Sequence, residues 1–346
     1  MIGENVRRLR RKNDMSMDKL AETIGVSKNA IKKYELNQMS PSYDNLIKLA
    51  NAFNIEPSKL LEEYPNEKIQ RPLYHRCKSN LAKKDREYIE LEIRRSLNKY
   101  LEALKLDCET RMKNNINFDP IHVESLEDIE AAADTVRQRL NLSPLGPVIS
   151  LVALFENAGI LVVSVKDAPK GFDAEFGIID DHHYMAYADT NNIERTRHTI
   201  THEMGHVFLS VPEDIDEERA MSYFAGCFLF PKANVYEELG KKRKKITVGE
   251  LLSIVKEYGI SAKSIVFRAK QLDIISESAA KELYISINQH RERLEGQYVE
   301  TNNNPSMLVQ IVLSLFAEEI ISMSKASELL DIGNVSFRKM LEGVSN

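Results

Sequence analysis

The sequence predicts a multi-domain protein: an all-α N-terminal domain, then an α+β domain with a small antiparallel sheet, then an all-α C-terminal region. A chain of 346 residues exceeds one ordinary hydrophobic core, so two or three domains are expected. Amphipathic patterns that predict helices occur toward both ends of the chain. Patterns that predict strands, with β-branched or alternating residues, are confined to residues 160–188. The predicted ranges are 1–63, a proline-containing and charged linker at 64–82, then 83–272 and 273–346.

The composition argues against a membrane or secreted protein. The chain is 43% hydrophobic and 29% charged and contains no long apolar run. Its first eight residues lack the apolar core of a signal peptide. Cys77, Cys108 and Cys227 are scattered and form no CxxC pair, which is typical of a reducing compartment. We therefore expect a cytoplasmic protein without a membrane partner.

The N-terminal helices show a basic helix-turn-helix pattern. Residues 1–33 contain nine Lys or Arg against four acidic residues, although the whole chain has a net charge of -5. Ser16 caps a predicted helix over Met17–Ile24 that ends at Gly25, and Ser27 caps the next over Lys28–Leu36. A short helix, a tight turn and a helix with a polar, basic outer face indicate a DNA reader.

The predicted partner of this domain is double-stranded DNA. Asn29 is the candidate reader of base edges. The candidate phosphate contacts are basic side chains placed on or near the outer face: Arg10 (or its neighbour Arg11), Lys28, Lys32 and Lys33. A monomer offers one recognition helix, so tight binding to two half-sites requires a homodimer. The alternative is a helical bundle used for protein contacts or dimerisation.

The stretch LAETIGVSKNAIKKYELNQMSPSYDNLIKLANAF resembles the XRE-type DNA-binding domain, and the resemblance covers about sixty residues. Two positions depart from the pattern. Met17 stands where the family often has a glutamine, which removes one phosphate-binding side chain. Asn37 stands where a glycine is usual, although asparagine tolerates the left-handed conformation.

A second motif is HExxH, formed by His202, Glu203 and His206. On a helix the two histidines lie one turn apart on the same face, where they can share a zinc ion. Glu203 lies about 100° round the helix from His202, within reach of a water molecule at that ion. The apolar residues of the stretch form a stripe for burial on the other side: Ile200, Met204, Val207 and Phe208.

Three predicted strands precede this helix, over 160–165, 174–179 and 183–188, with a hairpin turn at residues 180–182. The order fits a zincin-like metallopeptidase domain, in which an antiparallel sheet covers the metal-binding helix and its edge pairs with an extended substrate. His182 and His183 are interpreted as solvated turn residues, and His198 as no more than a neighbour of the ligands.

A catalytic zinc site usually has three protein ligands. Glu217 and Glu218 begin a later helix, and helical spacing does not choose between them. The segments ERTRHTITHEMGHVFL and ERAMSYFAGCFLFP resemble the ImmA/IrrE zinc metallopeptidases, which frequently carry an XRE-type domain. The resemblance implies that Glu218 is the third ligand. It also implies a supporting role for Ser222, where the family often has a longer Asn or His.

The resemblance implies a zinc-dependent, gluzincin-like metalloendopeptidase tied to transcriptional control, with Zn²⁺ as cofactor. Zinc polarises a water molecule and the scissile carbonyl, and Glu203 takes the water's proton and delivers it to the leaving amine. The implied substrate is a protein such as a cognate repressor, cleaved on a stress or mobile-element signal. The alternatives are a non-proteolytic DNA-binding regulator with a sensor or dimerisation module, and a structural zinc site. Glu203 argues against both, because metal binding does not require it.

The C-terminal region ends in a helix-turn-helix-like pair, predicted over Ser324–Leu330 and Val335–Leu341. Glu328 and the small number of basic residues favour a packing or partner surface over a second DNA reader.

Overall fold

The computed structural model describes residues 2–13, 15–61, 81–107, 116–190, 192–299 and 304–343. One compact unit contains the described residues up to 61 together with 81–99, and a second contains those from 100 onward. The predicted linker at 64–82 lies almost wholly outside the described residues. The boundary predicted at residue 83 differs from this division, because the first part of helix α6 (Lys83–Leu106) belongs to the N-terminal unit.

The N-terminal unit is a bundle of short helices: α1 (Ile2–Lys12), α2 (Met17–Ile24), α3 (Lys28–Glu35), α4 (Tyr43–Ala52), α5 (Ser58–Leu61) and the start of α6. Ser16, Ser27 and Ser42 each accept a backbone N–H of the following turn, as their N-cap positions require. The inward residues form one core that includes Val6, Leu20, Ile31 and Leu49. The predicted helix-turn-helix arrangement is confirmed.

Two turn positions take the left-handed backbone that the sequence indicates. Gly25 ends α2 at φ 74° and ψ 39°, and the amide of Val26 donates to the carbonyl of Ala21 at 2.9 Å. Asn37 follows α3 at φ 54°, and its Oδ1 accepts the backbone N–H of Gly3 at 2.9 Å. The asparagine that replaces the usual glycine therefore also ties α1 to the end of α3.

The arginines of α1 are engaged within the unit. The Arg10 guanidinium donates to both carboxylate oxygens of Glu35, at 2.5 and 3.0 Å, and their side chains are only 10% and 3% exposed. Arg8 pairs with Glu92 at 2.6 Å, and Arg11 pairs with Glu87. The prediction that Arg10 contacts phosphate is therefore wrong, because a buried carboxylate already holds this cation.

The second unit contains two small sheets. The strands are β1 (Ile121–His122), β2 (Leu161–Val165), β3 (Ala174–Ile179), β4 (His182–Ala188) and β5 (Leu209–Ser210). Strands β3 and β4 form the predicted hairpin across Asp180 and Asp181, both with positive φ, as a two-residue primed turn requires. The sheet is mixed rather than wholly antiparallel, because β2 pairs with β4 in parallel in the order β2–β4–β3.

Residues placed in the hairpin turn by the sequence lie in β4. His183 is half-buried, and its ring stacks on Phe118 with centroids 3.7 Å apart. Burial lowers the pKa of His183, so its imidazole is neutral at neutral pH. The interpretation of His183 as a solvated turn histidine is wrong, because the turn consumes only the two preceding aspartates.

The helices of the second unit include α7 (Asp128–Arg139), α8 (Leu151–Asn157), α9 (Ile193–Phe208), α10 (Glu217–Leu229), α11 (Lys232–Leu239), α12 (Val248–Tyr258), α13 (Ala262–Gln271), α14 (Glu277–Gln289) and α15 (Arg291–Leu294), and α8 and α9 pack on the larger sheet. One continuous core runs from Val123 to Leu294. The α+β domain thus extends past the predicted boundary at residue 272, because α14 and α15 bury apolar side chains in the same core.

A separate small core joins three last helices, α16 (Met307–Ala317), α17 (Met323–Leu330) and α18 (Asn334–Leu341), to the end of α6. The carboxylate of Glu156 in α8 accepts the backbone N–H groups of Ser306 and Met307, both at 2.9 Å. This contact supplies the N-terminal cap of α16 from another helix. Among the described residues, no helix has both the length and the apolar character needed to cross a membrane.

The Arg10–Glu35 pair predicts an asymmetry in stability. Glu35→Ala leaves a guanidinium buried without its partner, so we expect a loss of about 3–5 kcal/mol in the free energy of unfolding of the N-terminal unit. The control is Asp18→Ala, which breaks the exposed pair that Lys28 makes at 2.7 Å and costs less than about 1 kcal/mol. Amide hydrogen exchange of α1–α4 in the full chain measures both. Equal losses in the two variants would contradict the buried pairing.

Candidate metal centre

Helix α9 presents the HExxH motif between the core and a cleft. Asn192 caps the helix by accepting the backbone N–H of Arg195 at 2.9 Å. Met204 and Phe208 are fully buried against the core, as the stripe predicts. His202 and His206 are half-buried on the other face, with ring centroids 5.2 Å apart. Helical spacing thus places both imidazoles on one side of α9, at the position expected from the sequence.

Helix α10 crosses α9 closely because α9 has a glycine at the crossing. A β-carbon on Gly205 would lie 2.7 Å from Sδ of Met221 and 3.1 Å from Cδ1 of Phe224. A larger residue would therefore force the side chains of Met221 and Phe224 to move. The N-terminus of α10 is fixed by Asp216, which accepts the backbone N–H of Arg219 at 2.9 Å. Together these contacts bring the first turn of α10 over the two histidines.

Three side chains converge at this crossing. Oε2 of Glu218 lies 3.3 Å from Nε2 of His202, and Oε1 lies 3.8 Å from Nε2 of His206. The three potential ligand atoms all lie within 4.8 Å of one another. Donors at about 2.0–2.2 Å from a tetrahedral zinc ion are roughly 3.3–3.6 Å apart. The residues therefore fit a zinc ion after small side-chain adjustments.

The remaining ring nitrogens are also occupied. Nδ1 of His206 donates to Oε1 of Glu217 at 3.2 Å, and Nδ1 of His202 lies 3.2 Å from Oγ of Ser222. A carboxylate on Nδ1 requires a proton there, which leaves Nε2 of His206 as the lone-pair donor. Ser222 reaches its histidine although it is shorter than the residues usual at this position. Glu217 and Glu218 thus both have roles, one orienting a histidine and one facing the metal position.

Electrostatics favour a neutral imidazole at His202. Burial, followed by the neighbouring His206, lowers the pKa of His202 to about 4, although the Glu218 carboxylate opposes the shift. A neutral ring is the form that binds a metal ion. Above this pKa, protons no longer compete for Nε2, so the site suits metal binding at neutral pH.

Glu203 is adjacent to the candidate ligands and lies outside their cluster. It follows His202 directly on α9 and is half-buried. At about 100° per residue it faces a different direction from both imidazoles. The HExxH pattern makes Glu203 the candidate proton acceptor at this site.

A cavity of about 300 Å³ adjoins the centre and is lined by side chains that include His198, Ser222, Lys263, Phe267 and Tyr284. The ring of His198 lies 6.5 Å from that of His202, and burial lowers its pKa. Ser222 borders the cavity and contacts His202, so the cavity and the metal position share a wall. His198 is consequently a neighbour of the ligands, as expected.

Helix α9 packs against β3 and β4, and β3 lies at an edge of the sheet. Unpaired backbone groups on an edge strand can pair with an extended peptide.

The predicted DNA-facing residues separate into two groups. Lys28, Asn29, Lys32 and Lys33 are all exposed along α3. Lys28 pairs with Asp18, an exposed contact that water and salt readily replace. Arg10 does not join this face, because it is buried against Glu35.

Sequence reasoning missed two features of the centre. Gly205 carries the helix crossing, and an HExxH motif with glycine next to its second histidine was a visible signal. Glu217 orients His206, and its neighbour Glu218 concealed that role. Both depend on how α9 packs against α10, and the pattern of residues within one helix does not show this.

Comparisons with known proteins agree with the two-part organisation. Residues 3–64 match the family of helix-turn-helix domains, and residues 155–270 match the family of IrrE N-terminal-like domains. The second range contains all the proposed ligands and Glu203. The resemblances identified in the sequence are confirmed by these matches.

Curated relatives are similar to parts of the chain. The uncharacterized HTH-type transcriptional regulator YqaE of Bacillus subtilis is 27% identical over 109 residues, which are 30% of this chain and 94% of that protein. The uncharacterized HTH-type transcriptional regulator YobD of the same organism is 30% identical over 73 residues, 20% of this chain and 65% of that protein. The chain therefore combines an XRE-type DNA-binding helix-turn-helix domain at its N-terminus with a metallopeptidase-like domain of the ImmA/IrrE type.

Proposed function

We propose that this protein is a DNA-binding transcriptional regulator that also acts as a zinc-dependent metalloendopeptidase. The observation that supports the enzymatic part best is the convergence of His202, His206 and Glu218, with both Nδ1 atoms already engaged. A structural zinc site needs ligands, but it needs no carboxylate where Glu203 stands. The matched family is the second support, because its range, residues 155–270, covers both the HExxH motif and Glu218.

In the proposed mechanism, His202, His206 and Glu218 hold the metal ion. A zinc ion bound there supplies Lewis-acid polarisation of a water molecule and of the scissile carbonyl. Glu203 accepts a proton from the attacking water and then delivers it to the nitrogen of the leaving amine. Glu217 and Ser222 hold the imidazoles in the required orientation through their Nδ1 atoms.

The proposed substrate is a protein, and a cognate repressor is the first one to test. An extended segment of it pairs with the edge of β3, and the cavity beside Ser222 accommodates one side chain. Cleavage of a repressor would couple the metal centre to transcription, which fits a chain that also carries a DNA-binding domain. A homodimer would present two recognition helices to two half-sites.

The metal ligands are tested by zinc affinity. Purified protein should hold about one zinc per chain, and His202→Ala or His206→Ala should abolish tight binding. Glu217→Ala should weaken binding by about 10- to 100-fold, because it removes only the orienting contact. Glu218→Ala should weaken it more. Competition with a chromophoric chelator measures each constant, and the reverse order of the two glutamates would assign the ligand to Glu217.

The proposed general base is tested by Glu203→Gln. The substitution is nearly isosteric and leaves the ligands intact, so zinc content should not change. Cleavage of the cognate repressor, followed on gels, should fall on the order of a hundredfold or more. The exposed Glu213→Gln is the control and should retain activity. If Glu203→Gln still supported normal derepression in cells, the non-proteolytic regulator with a sensor or dimerisation module would replace this proposal.

The DNA contacts of α3 are tested by salt titration of the full chain. Neutralising Lys32 or Lys33 should reduce the slope of log affinity against log salt by about one for each phosphate that the lysine neutralises. Asn29→Ala should lower operator binding by roughly 1–3 kcal/mol and leave binding to a scrambled duplex nearly unchanged. Gel-shift titrations at several salt concentrations measure both effects. A salt slope that is the same in wild type and in Lys32→Ala/Lys33→Ala would place the DNA contacts elsewhere.

A further inference from the structure

The last two helices repeat the DNA-reading pair of the N-terminal domain. Both pairs consist of two eight-residue helices, α2 and α3 at one end of the chain, and α17 and α18 at the other. Residues 322–342 align without a gap on residues 16–36. Aligned residues of the same or similar type are Ser16 and Ser322, Met17 and Met323, Lys19 and Lys325, Glu22 and Glu328, Lys32 and Arg338, and Lys33 and Lys339.

The ends of the first helix match in each pair. Ser16 and Ser322 each accept the backbone N–H of the residue three positions later, at 3.0 and 3.2 Å. Gly25 ends α2 at φ 74° and ψ 39°, and Asp331 ends α17 at φ 59° and ψ 36°. The first helix of each pair therefore ends on a residue in the left-handed region.

The turn hydrogen bonds also match. The amide of Val26 donates to the carbonyl of Ala21 at 2.9 Å, and the amide of Ile332 donates to the carbonyl of Ser327 at 3.0 Å. These bonds close the same six-residue motif and set the direction in which the second helix leaves. The geometry of the turn is therefore the same in both pairs.

The two second helices share a central buried position and two exposed basic positions, whereas Tyr34 and Glu35 of α3 are buried and the aligned residues of α18 are not. Ile31 in α3 and Phe337 in α18 are both fully buried. Arg338 and Lys339 are exposed, as are Lys32 and Lys33 at the aligned positions. The outward face of α18 thus carries two cations in the register that α3 uses for its proposed phosphate contacts.

The charges of this face favour a polyanion over a protein partner. Helix α18 contains no acidic residue between Asn334 and Leu341. Neither Arg338 nor Lys339 has an ion-pair partner within the part of the chain that the structure describes. Glu328 on α17 does not argue against DNA, because Glu22 occupies the aligned position in α2.

We propose that α17 and α18 form a second helix-turn-helix that binds duplex DNA. Arg338 and Lys339 contact phosphates, and Asn334 at the start of α18 faces the bases with its amide. Val335, 74% exposed where α3 has Asn29, offers an apolar contact of the kind that thymine methyl groups accept. One chain then holds DNA at two places, which raises the apparent affinity without any new contact at the first.

The test uses the full chain and a random-sequence duplex, with affinity measured by fluorescence anisotropy over a range of salt. Arg338→Ala/Lys339→Ala should reduce the slope of log affinity against log salt by about one to two. The matched control is Lys166→Ala/Lys170→Ala, which removes two exposed cations elsewhere in the same unit and should change the slope far less.

A slope in Arg338→Ala/Lys339→Ala equal to that of the control overturns the proposal and leaves the face as a protein surface. If that variant lost its helical circular dichroism, Val335→Lys decides the matter. A cation added at this exposed position should raise the slope by about one if α18 contacts DNA. An unchanged slope in Val335→Lys would then exclude DNA as the partner.

Discussion

The close crossing of α9 and α10 at Gly205 is the constraint on which the candidate metal centre depends. The HExxH motif supplies two imidazoles from one helix, but two ligands do not hold zinc tightly. The third ligand must come from another helix at a distance that a side chain of glutamate length can span. Because Gly205 has no side chain, Met221 packs directly on α9, and the first turn of α10 reaches both histidines. The close crossing of the two helices also lets Ser222 line the cavity and contact His202.

At this centre the sequence predicts the distances within one helix, and it does not predict those between two helices. The spacing of His202 and His206 is fixed by the pitch of one helix, so the pattern predicts their placement. Glu217 and Glu218 differ by one residue, and choosing between them requires the rotation of α10 about its axis. That rotation is set by the packing of α10 on α9, and the periodicity of apolar residues in α10 does not predict it. The family resemblance implied Glu218, whereas the contact of Glu217 with His206 became visible only from the packing of the two helices.

The same distinction explains the other differences between sequence and structure. Helix periodicity places Arg10 near a surface, but its partner Glu35 lies on another helix and removes it from solvent. The hairpin of β3 and β4 is local and is predicted, whereas the parallel pairing of β2 with β4 depends on strand order. Basic charge counted along the chain therefore overstates the cations available to DNA. Lys28, Lys32 and Lys33 of α3 are exposed, whereas Arg8 and Arg10 of α1 are buried.

The start of α9 is held by charges whose partners lie far along the chain. Buried Glu194 accepts the backbone N–H groups of residues 297 and 298, at 2.9 and 3.2 Å. Arg197, one turn later, donates to the carbonyl of Gly259 and lies over the ring of Tyr298 at 4.8 Å. The family match ends at residue 270, yet these contacts continue beyond it. A fragment cut at the family boundary would expose a carboxylate and a guanidinium inside the fold, so an autonomous fragment of the metallopeptidase-like domain has to extend at least through Tyr298.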